Sequence, residues 1–179
     1  MATTFIVEDG TGLSTANSLM SVADADQITE NYDDPSSWSG ATTAVKENAL
    51  RQATRYLNYN YIWEGYKTVS TQALQWPRVQ TYDEDELLIA SDTIPQRVLE
   101  ACAYLALQDV DGDTLVSDQQ NEAQVKKTED TIGPITEKRE YVHGESPDKT
   151  YTVVDLLVAP FVIGDADGSE PLTVEVERA

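Results

Sequence analysis

The 179-residue sequence predicts a mainly α fold: a small helical bundle with a long ordered aromatic loop, a β-hairpin and an extended C-terminal arm. Three observations predict it. Apolar residues recur at three- and four-residue steps near residues 43–60 and 95–108, the period of a packed helix. Residues 58–95 between them mix aromatics with Gly, Pro and polar residues and hold no helical stripe longer than about two turns. From Lys126 the pattern changes to alternation around Gly133-Pro134, as in two arms of a hairpin. A chain of this length holds one core with an appendage. The predicted division is residues 1–124 for the helical body, with an N-terminal strand and loop, and residues 125–179 for the hairpin, a short helix and the arm.

Each element has a local reason. Thr4 to Glu8 reads as a short strand, and the Gly- and Ser-rich run EDGTGLSTANS as loop. Ser21 with Asp24 forms a capping box for a helix to about Tyr32, ended by NYDDPSSWSG. Thr43 can cap a second helix, to about Asn60, with Val45, Ala49, Ala53, Tyr56 and Leu57 as its apolar stripe. Glu47, Arg51 and Arg55 stand opposite at the i,i+4 spacing of a charge ladder. In the long loop, Tyr61, Trp63, Tyr66, Trp76 and Tyr82 are expected anchors onto the helices. Thr93 and Pro95 open a third helix to about Gln108, whose residues Val98, Leu99, Ala101, Cys102, Ala103, Leu105, Ala106 and Leu107 are apolar nearly all round, as a central helix requires. Thr152 can cap a last helix from Val153 to about Ala159, and the tail EPLTVEVERA alternates again as an arm that pairs elsewhere.

Twelve Lys and Arg against 32 Asp and Glu give a formal charge of -20, which repels phosphate and disfavours tight general binding of nucleic acid. The same sign would suit a wall past which a duplex slides. A single cysteine, Cys102, excludes an intramolecular disulfide and a cysteine-built zinc site, and predicts a cytosolic origin. The longest apolar run, Leu156 to Ile163, is broken by Pro160 and is far shorter than the roughly 20 residues of a membrane span. MATTFIVEDG has no basic stretch ahead of an apolar one, so no leader is expected.

Catalytic and metal patterns are not met. The lone histidine, His143, lies in a turn with no second ligand or nucleophile beside it. DVDGDT and DADGSE carry glycine at the fourth place and lack the bidentate Glu of a calcium loop. Residues 83–86, DEDE, read as a solvated run, and GTG at 10–12 lacks the Lys and helix cap of a phosphate loop. The expectation is a protein with no enzymatic activity, no cofactor and no metal. QALQWPR stands out, because it spends a scarce arginine beside an aromatic and a proline. Trp76 is expected to anchor the loop, and Arg78 to pair with Asp83 or Asp92 or to reach across a subunit interface with Trp76.

The ordered fragments EDGTGLSTANSLMSVADAD, ALRQATRYLN with IWEGYK, QALQWPR, IPQRVLEACAYLAL, GPITEKREY and VVDLLVAPFV resemble the head-tail connector (adaptor, or head completion) proteins of tailed bacteriophages over nearly the whole chain. Related phage sequences are also labelled DnaT-like single-stranded-DNA-binding proteins. The connector resemblance implies a virion structural protein at the head-tail interface, made in the host cytoplasm. It would form a homo-oligomeric, generally dodecameric, ring between the portal protein and a tail or second connector protein, with double-stranded DNA passing through the lumen at ejection and no membrane contact. The expected portal-docking arm comprises Val153, Leu156, Leu157, Phe161, Leu172, Val174 and Val176. The alternative reading is a single-stranded-DNA-binding protein of a phage replication system, which needs a basic, aromatic groove.

Overall fold

A computed structural model of the chain describes residues 4–32, 36–115, 127–132, 135–140 and 151–165. The chain forms two compact units, residues 1–116 with 152–179, and residues 117–151. The first unit is helical. Its elements are α1 (Val22–Thr29), α2 (Ser36–Gly40), α3 (Thr43–Asn60), β1 (Tyr61–Trp63), β2 (Tyr66–Lys67), β3 (Arg78–Val79) and α4 (Gln96–Val110). After the second unit's β4 (Lys127–Ile132) and β5 (Ile135–Glu140), the chain returns through α5 (Thr152–Val158), a 3-10 turn (Ala159–Phe161) and β6 (Val162–Asp165).

The helix ends follow their caps. Ser21 Oγ accepts from the Asp24 amide, and the Asp24 carboxylate accepts from the Ser21 amide, closing the capping box of α1. At α3 the cap is Thr42, one residue ahead of the expected Thr43, its hydroxyl accepting from the Val45 amide. Helix α4 starts after Pro95 without a side-chain cap, so Thr93 does not serve there. It ends in a Schellman arrangement in which the Gly112 amide donates to Asp109 and the Asp113 amide to Gln108, with Gly112 at φ 105°. Part of DVDGDT is therefore a helix stop.

Helix α4 is the centre of the core. Helices α1, α2, α3 and α5 all pack on it, and Val98, Ala101, Cys102, Ala103, Leu105 and Ala106 are fully enclosed. Small residues at 101–103 and 106 let four neighbours approach one helix, which is why its sequence is apolar nearly all round. Helix α3 meets it with Ala49, Leu50, Ala53, Thr54 and Leu57. The predicted stripe is rotated by about one position, since Val45 is 46% exposed and Leu50 is buried. The polar Thr54 is accommodated because its hydroxyl accepts from the Leu19 amide at 3.2 Å and lies 3.7 Å from Cys102 Sγ.

Burial pushes the Cys102 thiol up to about 12, with the Thr54 contact pulling weakly the other way. The native protein at about pH 8 is expected to resist iodoacetamide and to take up one label per chain only in denaturant, read by intact mass. Rapid native labelling would show that the α3–α4 seam opens.

Helix α2 lies within the stretch expected only to end α1. Trp38 explains it: its ring is buried, and its Nε1 donates to Asp26 Oδ1 at 2.7 Å. Lys46 Nζ reaches the same oxygen at 2.8 Å and lies 5.2 Å from the Trp38 ring centre, so one carboxylate ties α1, α2 and α3. Burial alone would raise the Asp26 carboxyl, but the Lys46 and Trp38 hydrogen bonds and the Lys46 charge hold it below its usual value.

The expected N-terminal strand is reduced to a single bridge, Val7 to Ser18. What organises this segment is Glu8, whose buried carboxylate accepts from the amides of Gly10, Gly12 and Leu13 at 2.8 to 3.1 Å. Gly10 has φ 93°, and a Cβ there would run into the Asp92 carbonyl. The amides of the GTG loop thus wrap the chain's own carboxylate.

The hairpin stands in the second unit, with β4 antiparallel to β5 in unbroken register from Lys127 opposite Glu140 to Ile132 opposite Ile135. The mainly α class, with small two-stranded antiparallel sheets, is as the sequence predicts.

Candidate functional site

The long loop yields a tightly hydrogen-bonded cluster. It doubles back so that β2 pairs with β3, Tyr66 opposite Val79 and Lys67 opposite Arg78, while β1 pairs with the distant β6. Gln72 holds the turn from inside: its amide nitrogen donates to the Leu74 and Pro77 carbonyls at 3.0 Å, and its oxygen accepts from the Val69 amide at 2.9 Å. The Trp76-Pro77 peptide is cis.

Trp76 is 0% exposed and stands edge-on to Trp63, 5.6 Å between ring centres, and to Phe161, 5.9 Å away. Trp63 continues the chain of rings to Tyr61, whose hydroxyl donates to Asp155 of α5 at 2.6 Å. Trp63 Nε1 donates to the Leu57 carbonyl at 3.1 Å, whereas Trp76 Nε1 is enclosed without a hydrogen-bond partner among the described residues.

Arg78 is 7% exposed, and all five of its N–H groups are spent inside its own chain. Nε donates to the Glu64 carbonyl at 2.6 Å, Nη2 to those of Trp63 at 3.1 Å and Gly65 at 2.7 Å, and Nη1 to the carbonyl and side-chain oxygen of Gln75, both at 3.1 Å. Burial lowers its pKa below the usual guanidinium value. The expected partners Asp83 and Asp92 are thus replaced by carbonyls of a tight turn, which no spacing rule in the sequence announces. A fork fully occupied in this way leaves no donor for a neighbouring subunit, and Trp76 presents no surface to one.

The expected arm residues separate. Phe161 is 4% exposed against Trp76 and belongs to the core, while Val153 is 41% and Leu156 66% exposed and Leu157 is half-buried. Leu172, Val174 and Val176 lie outside the described residues, as does His143. Tyr66 and Tyr82, expected as anchors, are 68% and 44% exposed, so Tyr61, Trp63 and Trp76 hold the loop without them.

A basic surface emerges where the charge ladder was expected. Lys46, Arg51 and Arg55 against Glu47 make α3 the one described helix with a positive formal charge. Among the described residues the ion pairs are Lys46 with Asp26 and Arg97 with Glu84, so the Glu47–Arg51–Arg55 ladder is not formed. Arg51 instead lies 5.8 Å from the Phe5 ring centre, a stacking contact that competes with a weak surface pair. Arg55 is exposed, and Tyr59, one turn further along the same ridge, is 64% exposed. Arg51, Arg55 and Tyr59 therefore line one edge of α3 at i,i+4 steps with no acid between them along the ridge. In the second unit the register sets Lys127 opposite Glu140, Thr128 opposite Arg139 and Glu129 opposite Lys138.

Among the described residues no group of three or more His, Cys, Asp or Glu is placed to hold a metal ion. A family model, "Putative DnaT-like ssDNA binding protein", matches residues 3–179. No curated protein matches the chain, and no solved structure does. The family match overturns the head-tail connector and adaptor reading of the motif order, because the family it names is one of DNA binding.

Proposed function

Since the chain belongs to the DnaT-like single-stranded-DNA-binding family, we propose that it binds single-stranded DNA in a replication setting. The observation that carries this is the family match over residues 3–179. The α3 ridge supplies the chemistry such a role needs: cationic forks for the backbone and an exposed ring for a base. Arg55 would meet a phosphate, Arg51 a neighbouring one from its seat over Phe5, and Tyr59 would stack on a base.

The overall charge of -20 sets the regime. A duplex or a long strand lying over the whole surface is repelled, so contact is confined to a short stretch of strand, and affinity is modest and salt-sensitive. Two phosphate contacts give a slope of log K against log salt of about -1.4, at about -0.7 for each phosphate of a single strand.

The test is fluorescence anisotropy of a labelled thymidine oligonucleotide of about 15 nucleotides, a length within the single-strand site sizes of known binders, titrated at low and near-physiological salt. Tyr59→Ala is expected to weaken binding about tenfold, within the range of about 1 to 3 kcal/mol for loss of one stacked base. Arg55→Glu should weaken it at least as much and flatten the salt slope. Failure of the wild-type protein to bind at low salt would end the functional reading. Unchanged binding in both α3 variants, with loss in Lys138→Glu/Arg139→Glu, would move the interface to the hairpin.

A further inference from the structure

The stretch TYDEDELLI, residues 81–89, is built more tightly than a solvated acidic run requires. Tyr82 bridges Leu88, the Asp83 amide donates to the Leu87 carbonyl at 3.0 Å, and Ile89 donates back to Thr81 at 2.9 Å. Asp83 Oδ1 accepts from the amides of Asp85 at 3.0 Å and Leu87 at 2.8 Å, so this carboxylate shapes the turn from within. Glu86 is held at φ 59°, a left-handed conformation uncommon for a residue with a Cβ. From the side, Arg97 of α4 grips both oxygens of Glu84, at 2.6 and 3.0 Å.

This rigid tip exposes its apolar residues. Leu87 is 63%, Leu88 65% and Tyr82 44% exposed, while Thr81 at the base is fully buried. Both leucines keep most of their apolar surface in water, and a partner that covered it would gain from its burial. Asp85 and Glu86 beside them form no ion pair among the described residues. A preorganised apolar pair rimmed by unpaired carboxylates binds at little ordering cost and selects its partner by charge.

The geometry points to residues 82–88 as a docking element for a partner protein bearing an apolar pocket rimmed by lysine or arginine. The charges decide among occupants. Nucleic acid and anionic lipid are repelled by the rim. A second copy carries the same charge of -20 and meets the same repulsion. This assignment stands independently of the DNA-binding reading, since it uses neither α3 nor the hairpin.

The test uses the full chain and two synthetic helical peptides of equal positive charge, one with a leucine face opposite its lysines and one with serine in place of leucine. By calorimetry the leucine peptide should bind the wild-type protein at least tenfold more tightly than the serine peptide. Leu87→Ser/Leu88→Ser should abolish that difference while leaving oligonucleotide binding and the circular dichroism spectrum unchanged. Leu87→Asn alone, which spares the Tyr82–Leu88 bridge, should reduce the difference at least threefold. Asp85→Asn/Glu86→Gln should weaken both peptides about threefold and flatten their salt dependence. A preference for the leucine peptide that survives the double serine variant would overturn the proposal. So would a wild-type dimer, seen in sedimentation, that the serine variant dissolves, since that would make the tip a contact between copies.

Discussion

Arg78→Ala is expected to destabilise the protein by about 3 to 5 kcal/mol. Removing the side chain strands the carbonyls of Trp63, Glu64, Gly65 and Gln75, which now receive its donors within an enclosed turn. Each buried acceptor left without a partner costs about 1 kcal/mol or more, which four together bring to the expected range. Part is returned because a buried charge is no longer desolvated, and this keeps the figure from rising further. Arg78→Lys should recover less than half, since an ammonium offers three donors from one point where the guanidinium offers five from a planar fork. Urea unfolding followed by tryptophan fluorescence reads both variants. A midpoint shift worth less than about 1 kcal/mol for the alanine variant would mean that water replaces the guanidinium without loss.

Trp76→Ala should cost about 3 to 5 kcal/mol, the usual range for emptying a core tryptophan site. The ring is fully buried and bridges Trp63 of the loop to Phe161 near the C-terminal end of the body, so its removal opens a cavity that joins two distant parts of the chain. The sharper result comes from phenylalanine. Trp76 Nε1 has no acceptor among the described residues, so Trp76→Phe gives up volume but no hydrogen bond, and should cost only about 1 kcal/mol. Trp63→Phe also loses the bond to the Leu57 carbonyl, so it should cost about 1 kcal/mol more. Equal costs for the two phenylalanine variants would contradict the hydrogen-bond assignment. Against a typical total stability of about 5 to 15 kcal/mol, either alanine variant removes a large share of the fold.

The two results share a cause that bears on how the sequence reads. Periodicity at 43–60 and 95–108 located α3 and α4 because a helix is made of contacts three and four residues apart, all of them visible locally. The capping box at Ser21 and the alternation about Gly133-Pro134 were legible for the same reason. Helix α2 was not, because five residues are too few for a period, and its stability comes from Trp38 meeting Asp26 across the chain. The candidate site was half legible. Arg51 and Arg55 were visible on a helix face, but what Arg51 meets instead of Glu47 is Phe5, 46 residues earlier in the chain. The order of short fragments led to the connector reading, which the family match over residues 3–179 overturns.

By itself the sequence determined the helical class, the spans of the two main helices, the hairpin, the acidic character and the placing of Trp76 as an anchor, because each depends on residue type or on near neighbours. Only the tertiary structure decided what Arg78 grips, which tyrosines are left to solvent and where positive charge survives uncancelled on so acidic a chain. Those outcomes rest on pairings between segments far apart in the chain, such as β1 with β6 and Arg51 with Phe5. The energy of such pairings depends on where the folded backbone brings each group, and a linear pattern carries no record of that.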